Sequence, residues 1–135
     1  MRASVLSSFQ ENMRIILLIA LGGGLGSVFR YLTAQLINKY VQLYFPYATF
    51  TANILGCFFI GLFLGYLEKN HITNPDLKFF LVTGFCGGYT TFSTFSNESV
   101  QLLQANQMGT AFLYIGLSVI LGLAATYAGL MVSKG

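Results

Sequence analysis

The residues best suited to binding chemistry lie in one segment of this 135-residue chain, between Thr83 and Ser96. The segment reads TGFCGGYTTFSTFS, so three glycines precede a run of hydroxyl-bearing and aromatic residues. Such a sequence is a poor helix former, although it lies within a long apolar stretch. A break there would free backbone carbonyls and amides to bind an ion. A glycine kink, with hydroxyls bonding to the preceding turn, is the alternative, but the density of these signals favours an ion site.

Two phenylalanines in this segment could face an ion. Phe92 and Phe95 are three residues apart, so they share a face of a helix. An aromatic ring has a positive edge, which can face a small anion without trapping it. Ser93 and Thr94 add hydroxyl donors beside the rings. Core packing or lipid contact is the competing interpretation of both phenylalanines.

Polar side chains in two other apolar stretches could extend the same path. Asn53 carries an amide NH2 that suits an anion, and an interhelical hydrogen bond that holds a dimer together is an equally good explanation for it. The last stretch has a stripe at four-residue spacing, which comprises Tyr114, Ser118, Gly122 and Thr126. The three hydroxyls of this stripe predict a polar track, unless they bond to their own helix.

Arg30 and Glu98 are the ionisable residues within, or at the edge of, apolar stretches. Arg30 lies roughly 24 Å of helical rise beyond Arg14, where it could attract anions at a vestibule or extend to lipid headgroups. Glu98 could pair with a cation or with Arg30, and the sequence does not choose between them.

Several classes of function are not expected. Cys57, Cys86 and His71 form neither a metal-ligand set nor a nucleophile–base set, so we do not predict an enzyme. The seven Lys and Arg residues are scattered, and we expect no nucleic-acid partner.

The elements that must position these residues are membrane-spanning helices. Only 8% of residues are charged and 55% are hydrophobic, with a mean hydropathy of +0.67. Four apolar stretches approach the ~20 residues that cross a bilayer. They cover residues 13–37, 49–67, 77–103 and 109–132, with the third broken near 84–91. We therefore predict an all-α, multi-pass membrane protein with one transmembrane domain, residues 1–135.

Small residues four apart allow helices to approach closely in lipid. Gly22 and Gly26 form one such pair, and Gly61 and Gly65 another. Packing within the chain is the simpler explanation, and a dimer interface is the other. Because four short helices enclose little interior, a transport path favours a second copy.

Three motifs match a known family, in order and across essentially the whole chain. They are GGGLGSVFRY at Gly22–Tyr31, TANILG at Thr51–Gly56 and GGYTTFSTF at Gly87–Phe95. Together they resemble the CrcB/Fluc fluoride channels. The resemblance implies an antiparallel, dual-topology homodimer in the bacterial inner membrane, which exports fluoride passively and so reduces its toxicity in the cytoplasm.

The resemblance also implies roles for individual residues. Phe92 and Phe95 would line the pore, Asn53 would be the pore amide and Arg30 the vestibule arginine. A structural Na⁺ ion would be held at the dimer interface by the backbone carbonyls of Gly87 and Thr90. We expect Gly87 to need a positive φ angle and a close backbone approach, and hence to reject valine.

Physical reasoning without the resemblance reaches an ion pathway lined by donors. Fluoride holds its water strongly, so a pore must replace that shell with donors and still release the ion. The main alternative is a small four-helix multidrug exporter, which needs a carboxylate within a span; only Glu98 could serve. A glycine-rich assembly subunit is a further alternative, but it does not account for the broken third helix.

The distribution of basic residues conflicts with dual topology. Five of them fall on one predicted side, namely Arg2, Arg14, Lys69, Lys78 and Lys134, whereas Lys39 and Arg30 fall on the other. The positive-inside rule then puts the N-terminus inside. We retain the inverted dimer because each pore of the family needs residues from both orientations.

Overall fold

The computed structural model describes the backbone of residues 1–135 and all side chains except those of residues 2–4. The secondary structure of these described residues is entirely helical, which confirms the all-α prediction. The helices are α1 (Arg2–Tyr40), α2 (Tyr47–Lys69), α3 (Pro75–Lys78), α4 (Gly87–Tyr89), α5 (Phe92–Gln104) and α6 (Met108–Lys134). A π-helical segment, Phe79–Cys86, joins α3 to α4.

Three of these helices are long and apolar enough to cross a membrane. They comprise Val5–Tyr40 of α1, all of α2 and all of α6. The third predicted span is instead assembled from two shorter halves, α3 through α4 and then α5. We call these the first half and the second half. α1 starts at Arg2 rather than near Met13, because no glycine or proline interrupts the residues before Met13.

Two tight turns end helices with a residue in the left-handed conformation. After α2, His71 has φ 51°, and Ile72 N–H donates to Leu67 O at 2.9 Å. After α5, Asn106 has φ 57° and an equivalent bond joins Gln107 to Leu102. Both are Schellman-type caps, which satisfy the last carbonyls of a helix. These caps account for the short connections, and the cap after α2 gives His71 a structural role.

Glycines set the helix packing. A methyl group on Gly22 or Gly26 would collide with the backbone carbonyl oxygens of Phe80 and Phe85 in the π-helical segment. On the other side of the bundle, a methyl group on Gly61 would collide with a backbone oxygen of α6. The glycine pairs therefore serve close packing within the chain, which was the simpler of the two explanations.

Two ion pairs join helices at one end of the bundle. Arg14 of α1 lies 3.3 Å from Asp76 of α3, and Lys134 of α6 lies 2.7 Å from Glu68 of α2. The end of α2, the start of α3 and the end of α6 thus share one end of the bundle with Arg14, which lies twelve residues after the start of α1. This arrangement is the up-and-down order expected from short connections.

Candidate functional site

The interruption of the third span consists of two threonines. α4 ends at Tyr89, and Thr90 and Thr91 are extended, with φ/ψ of −86°/158° and −150°/117°. α5 then begins at Phe92 with Thr91 as its N-cap. Three glycines before this point and three β-branched or hydroxyl residues after it weaken the helix locally. The break therefore lies within the predicted window, near its C-terminal limit.

Two backbone donors at the break are diverted from their usual acceptors. In a continuous helix, Thr91 N–H would donate to the Gly87 carbonyl and Thr94 N–H to the Thr90 carbonyl. Thr91 N–H instead donates to Asn53 Oδ1 at 2.7 Å. Thr94 N–H donates to Thr91 Oγ1 at 3.2 Å. The carbonyls of Gly87 and Thr90 thus lose the N–H groups that a helix would give them.

Asn53 holds this break from the neighbouring helix α2. Besides accepting from Thr91 N–H, its Nδ2 donates to Thr91 O at 3.1 Å. The amide therefore forms a two-point clamp on one residue of the broken backbone. An amide NH2 has two hydrogens, so the second remains for another acceptor. Asn53 does form hydrogen bonds to another helical segment, but they lie within one chain and are not the dimer contact that was considered.

A cavity of about 540 Å³, which we call the main cavity, adjoins the break. Six of the site residues predicted from the sequence line it: Asn53, Gly87, Thr90, Phe92, Phe95 and Ser118. The remaining lining residues are Gly56, Cys57, Ile60, Val82, Thr83, Cys86, Thr91 and Val119. No charged side chain is among these lining residues, all of which belong to the described part of the chain. The cavity combines hydroxyl groups, an amide and aromatic rings with an apolar wall.

The two phenylalanines differ in their surroundings. Their ring centroids are 5.7 Å apart and the rings are tilted by 45°. Phe95 is half-buried and its ring lies 5.1 Å from that of Tyr114. Phe92 is 79% exposed in the single chain. Phe95 therefore lies in the cavity wall and also packs against the core, whereas the Phe92 side chain is largely exposed on the surface of the single chain.

The α6 residues at four-residue spacing lie in different environments. Ser118 lies in the cavity wall, and its buried hydroxyl has no hydrogen-bond partner among the described residues. Tyr114 is fully buried and donates to Glu98 Oε2 at 2.8 Å. Thr126 donates to Gly122 O of its own helix at 3.1 Å. Only Ser118 lines the cavity, so the structure does not bring the stripe together as a continuous track.

Two hydroxyl groups donate hydrogen bonds to Glu98. Its Oε1 accepts from Thr49 Oγ1 at 2.8 Å, and its Oε2 accepts from Tyr114. The ion pair with Arg30 that was considered for Glu98 is not found among the described residues. The carboxylate thus ties α5 to α2 and α6.

Arg30 lines a second cavity, of about 250 Å³. Thr49, Thr91 and Thr94 lie in its wall. Thr91 borders both cavities, so the break separates the two spaces. Ser93 lines neither of them; it is exposed, and its hydroxyl lies 3.3 Å from Thr91 Oγ1. Arg30 is therefore positioned beside the break and not within the main cavity.

The expectation of a positive φ at Gly87 is wrong. Gly87 has φ −62° and ψ −37°, which is ordinary right-handed helix. A methyl group there would meet only Val82 O, at 4.0 Å. Nothing within the chain therefore requires glycine at this position. Any close approach to Gly87 must come from a bound ion or from another chain.

Sequence reasoning missed several residues of the site. Thr91 was part of the motif but received no role, although a threonine before a helical stretch is a recognisable N-cap signal. Thr49 gave no signal of its own, because its contact with Glu98 joins distant parts of the chain. Cys57 and Cys86 line the main cavity.

Comparison with known proteins identifies the family. Residues 17–130 match the family described as CrcB-like protein, Camphor Resistance (CrcB). A "Fluoride-specific ion channel FluC" of Flavobacterium psychrophilum is 68% identical over 122 residues, which are 90% of this chain and 98% of that protein. Proteins of the same name from Azobacteroides pseudotrichonymphae and Phocaeicola vulgatus are 43% and 48% identical over 90% of this chain, covering 98% and 100% of their own length. The chain is a multi-pass bacterial membrane protein that belongs to the CrcB-like family.

Proposed function

We propose that this protein is a fluoride-selective channel that exports fluoride passively across the bacterial inner membrane and so reduces fluoride toxicity in the cytoplasm. The observation that carries the proposal is the uncharged main cavity at the break, with Asn53, Phe92, Phe95 and Ser118 in its wall. The relatives that are named fluoride-specific channels supply the choice of anion.

The proposed permeation mechanism follows from hydration. Fluoride must exchange its water for donors that it can leave again. The second Asn53 hydrogen, the unpartnered Ser118 hydroxyl and the ring edge of Phe95 offer such donors in a low-dielectric wall. Arg30 lies in the adjoining cavity, where its charge raises the local anion concentration without trapping the ion in the main cavity.

A homodimer is the proposed assembly. Phe92 is 79% exposed, and Gly87 faces open space although it lines the main cavity. In a single chain, this side of the cavity would open to lipid, which offers no donors to an anion. A second copy, inverted as the family resemblance implies, would close the cavity and complete a pore. Each dimer would then contain two pores.

A sodium ion is the proposed occupant of the dimer axis. The carbonyls of Gly87 and Thr90 fit this role, because the N–H groups that normally occupy them are bonded elsewhere. Two carbonyls from each copy would give four hard oxygen ligands without a carboxylate. Such a set suits a monovalent cation better than Ca²⁺ or Mg²⁺. When bound, the ion would supply a fixed positive charge that favours anions nearby.

The multidrug-exporter alternative is disfavoured by the position of Glu98. An exporter of that kind uses a carboxylate that faces the transport path. Glu98 does not line the main cavity, and both of its oxygens accept hydrogen bonds from Thr49 and Tyr114. Its contacts account for it as a tie between helices.

Ion flux from liposomes tests the proposed function. Purified protein reconstituted into liposomes should release fluoride far faster than chloride, with protein-free liposomes as the control. Reduced flux in proteoliposomes that contain Phe95→Ile would link the transport to the main cavity. Equal rates for the two halides, or no release of either, would refute the proposal.

A further inference from the structure

We propose that Asn53 and Thr91 are positioning residues for the cation site, which they create by withholding two N–H groups from its carbonyl ligands. Neither side chain ligates the cation. The inference rests on the proposed sodium site and extends it to residues outside the ligand set. It also assigns Asn53 a second role besides its place in the wall of the anion cavity.

The Asn53 amide matches the backbone of Thr91 at two points. Thr91 N–H donates to Oδ1 at 2.7 Å, and Nδ2 donates to Thr91 O at 3.1 Å. Only a side chain with both an acceptor and a donor can make this pair of bonds. Without it, Thr91 N–H would be a partly buried donor without this acceptor, and the Gly87 carbonyl is the acceptor that a continuous helix would give it. Asn53 therefore keeps the Gly87 carbonyl free.

The Thr91 hydroxyl keeps a second N–H group away from the Thr90 carbonyl. Its Oγ1 accepts from Thr94 N–H at 3.2 Å and caps α5. In a helix that continued through the break, Thr94 N–H would donate to the Thr90 carbonyl. The extended φ/ψ of Thr91 suits a β-branched residue, so valine could replace it in shape but not as an acceptor.

The Asn53 side chain thereby influences both proposed ion sites. Asn53 lines the main cavity and simultaneously fixes the residue whose N–H would otherwise occupy a cation ligand. Losing the clamp should therefore weaken cation binding, in addition to any effect on anion flux. Because Thr91 borders both cavities, its hydroxyl contributes to the same coupling.

The sodium dependence of thermal stability tests the inference without measuring transport. Detergent-purified protein is melted over a series of NaCl concentrations, with N-methyl-D-glucamine chloride keeping the ionic strength constant. The variants are Asn53→Ala, Thr91→Val and the conservative Thr91→Ser. Thr33→Val is the matched control, since Thr33 bonds to Tyr89 Oη at 3.0 Å beside the break but not at the carbonyl ligands.

We expect the wild-type melting temperature to rise with sodium and to show a defined midpoint. Asn53→Ala and Thr91→Val should each move that midpoint to about fivefold to tenfold higher sodium, the equivalent of one lost hydrogen bond. Thr91→Ser should retain the wild-type midpoint because it keeps the capping oxygen. Thr33→Val should lower the melting temperature at every sodium concentration and leave the midpoint in place.

Wild-type midpoints in Thr91→Val and in Asn53→Ala would overturn the inference and leave the two residues with a purely structural role. Should Asn53→Ala fail to fold, Thr91→Val compared with Thr91→Ser decides alone. A wild-type melting temperature that ignores sodium would overturn both this inference and the sodium site. Fluoride release from the same preparation then shows independently whether the proposed channel function survives.

Discussion

The two halves of the third span are held in place by different means. The first half packs against α1 through backbone atoms, with Gly84 and Gly88 against Gly22 and Gly23. The second half is held by side-chain hydrogen bonds, from Asn53 to the break and from Thr49 and Tyr114 to Glu98. Backbone contact between glycines allows almost no adjustment, whereas side chains can exchange partners. The break therefore joins a segment held by backbone contacts to a helix held by side-chain hydrogen bonds.

The π-helical segment belongs to the first half. Phe79–Cys86 has the wider turn of a π-helix, and only the short helix α4 separates it from the break. Such segments are rare and commonly occur at functional sites. Here the segment lies against Gly22 and Gly26, so that α1 sets the position of the residues leading to Gly87. We infer that variants in this half affect folding first, and variants in the second half affect transport first.

The largest effect should come from the contact between α1 and the first half of the third span. Gly26→Ala places a methyl group against the backbone of Phe85 and Tyr89, which cannot move without displacing the first half. We expect a loss of about 3 kcal/mol of stability, or failure to fold, as measured by thermal melting and size-exclusion chromatography. Gly24→Ala is the matched control, because no atom lies within 4 Å of its added methyl group. Equal stability of the two variants would contradict the division into halves.

A smaller effect, on transport alone, is expected for the rings of the second half. Replacing Phe92 or Phe95 by isoleucine keeps apolar bulk and removes the positive ring edge, so fluoride flux should fall roughly threefold to tenfold. Phe63→Ile is the control, since that ring stacks on Phe59, 6.0 Å away, and lies outside the main cavity. Unchanged flux in both variants would make the rings packing residues.

The amino-acid sequence predicted some features of the two halves and not others. Glycine and threonine content located the break, because intrinsic helix propensity is a local property. The convergence of Asn53, Phe95 and Ser118 on one cavity is consistent with their predicted shared path. The partners of Glu98 and the segment against which Gly22 packs were not predictable, since both depend on contacts between distant segments. The expected φ of Gly87 failed because glycine was explained by its conformation rather than by the space around it.

Ser118 offers a test in which stability and transport change in opposite directions. Its buried hydroxyl has no partner in the described chain, and removing an unsatisfied polar group can raise stability by about 1 kcal/mol. Ser118→Ala should therefore melt at a higher temperature while passing fluoride roughly threefold more slowly, through loss of one donor. Thr126→Val is the control, because the Thr126 hydroxyl bonds only to its own helix. A fall in the stability of Ser118→Ala would show that the hydroxyl has a structural partner.

The smallest effect is expected where the two halves meet, at Thr90. Its hydroxyl donates to Cys86 O at 2.9 Å, and its methyl group faces Gly56, where an added Cβ would collide with it. Thr90→Ser keeps the hydroxyl and loses only the methyl group, so it should cost roughly 1 kcal/mol or less and preserve the sodium response. Gly56→Ala should be destabilising by itself, but less so together with Thr90→Ser, because the serine leaves room for the new methyl group. A double-mutant cycle of melting stabilities measures this coupling, which should be about 1 kcal/mol. Strict additivity would mean that α2 does not rest on the Thr90 methyl group, and that Asn53 alone joins α2 to the break.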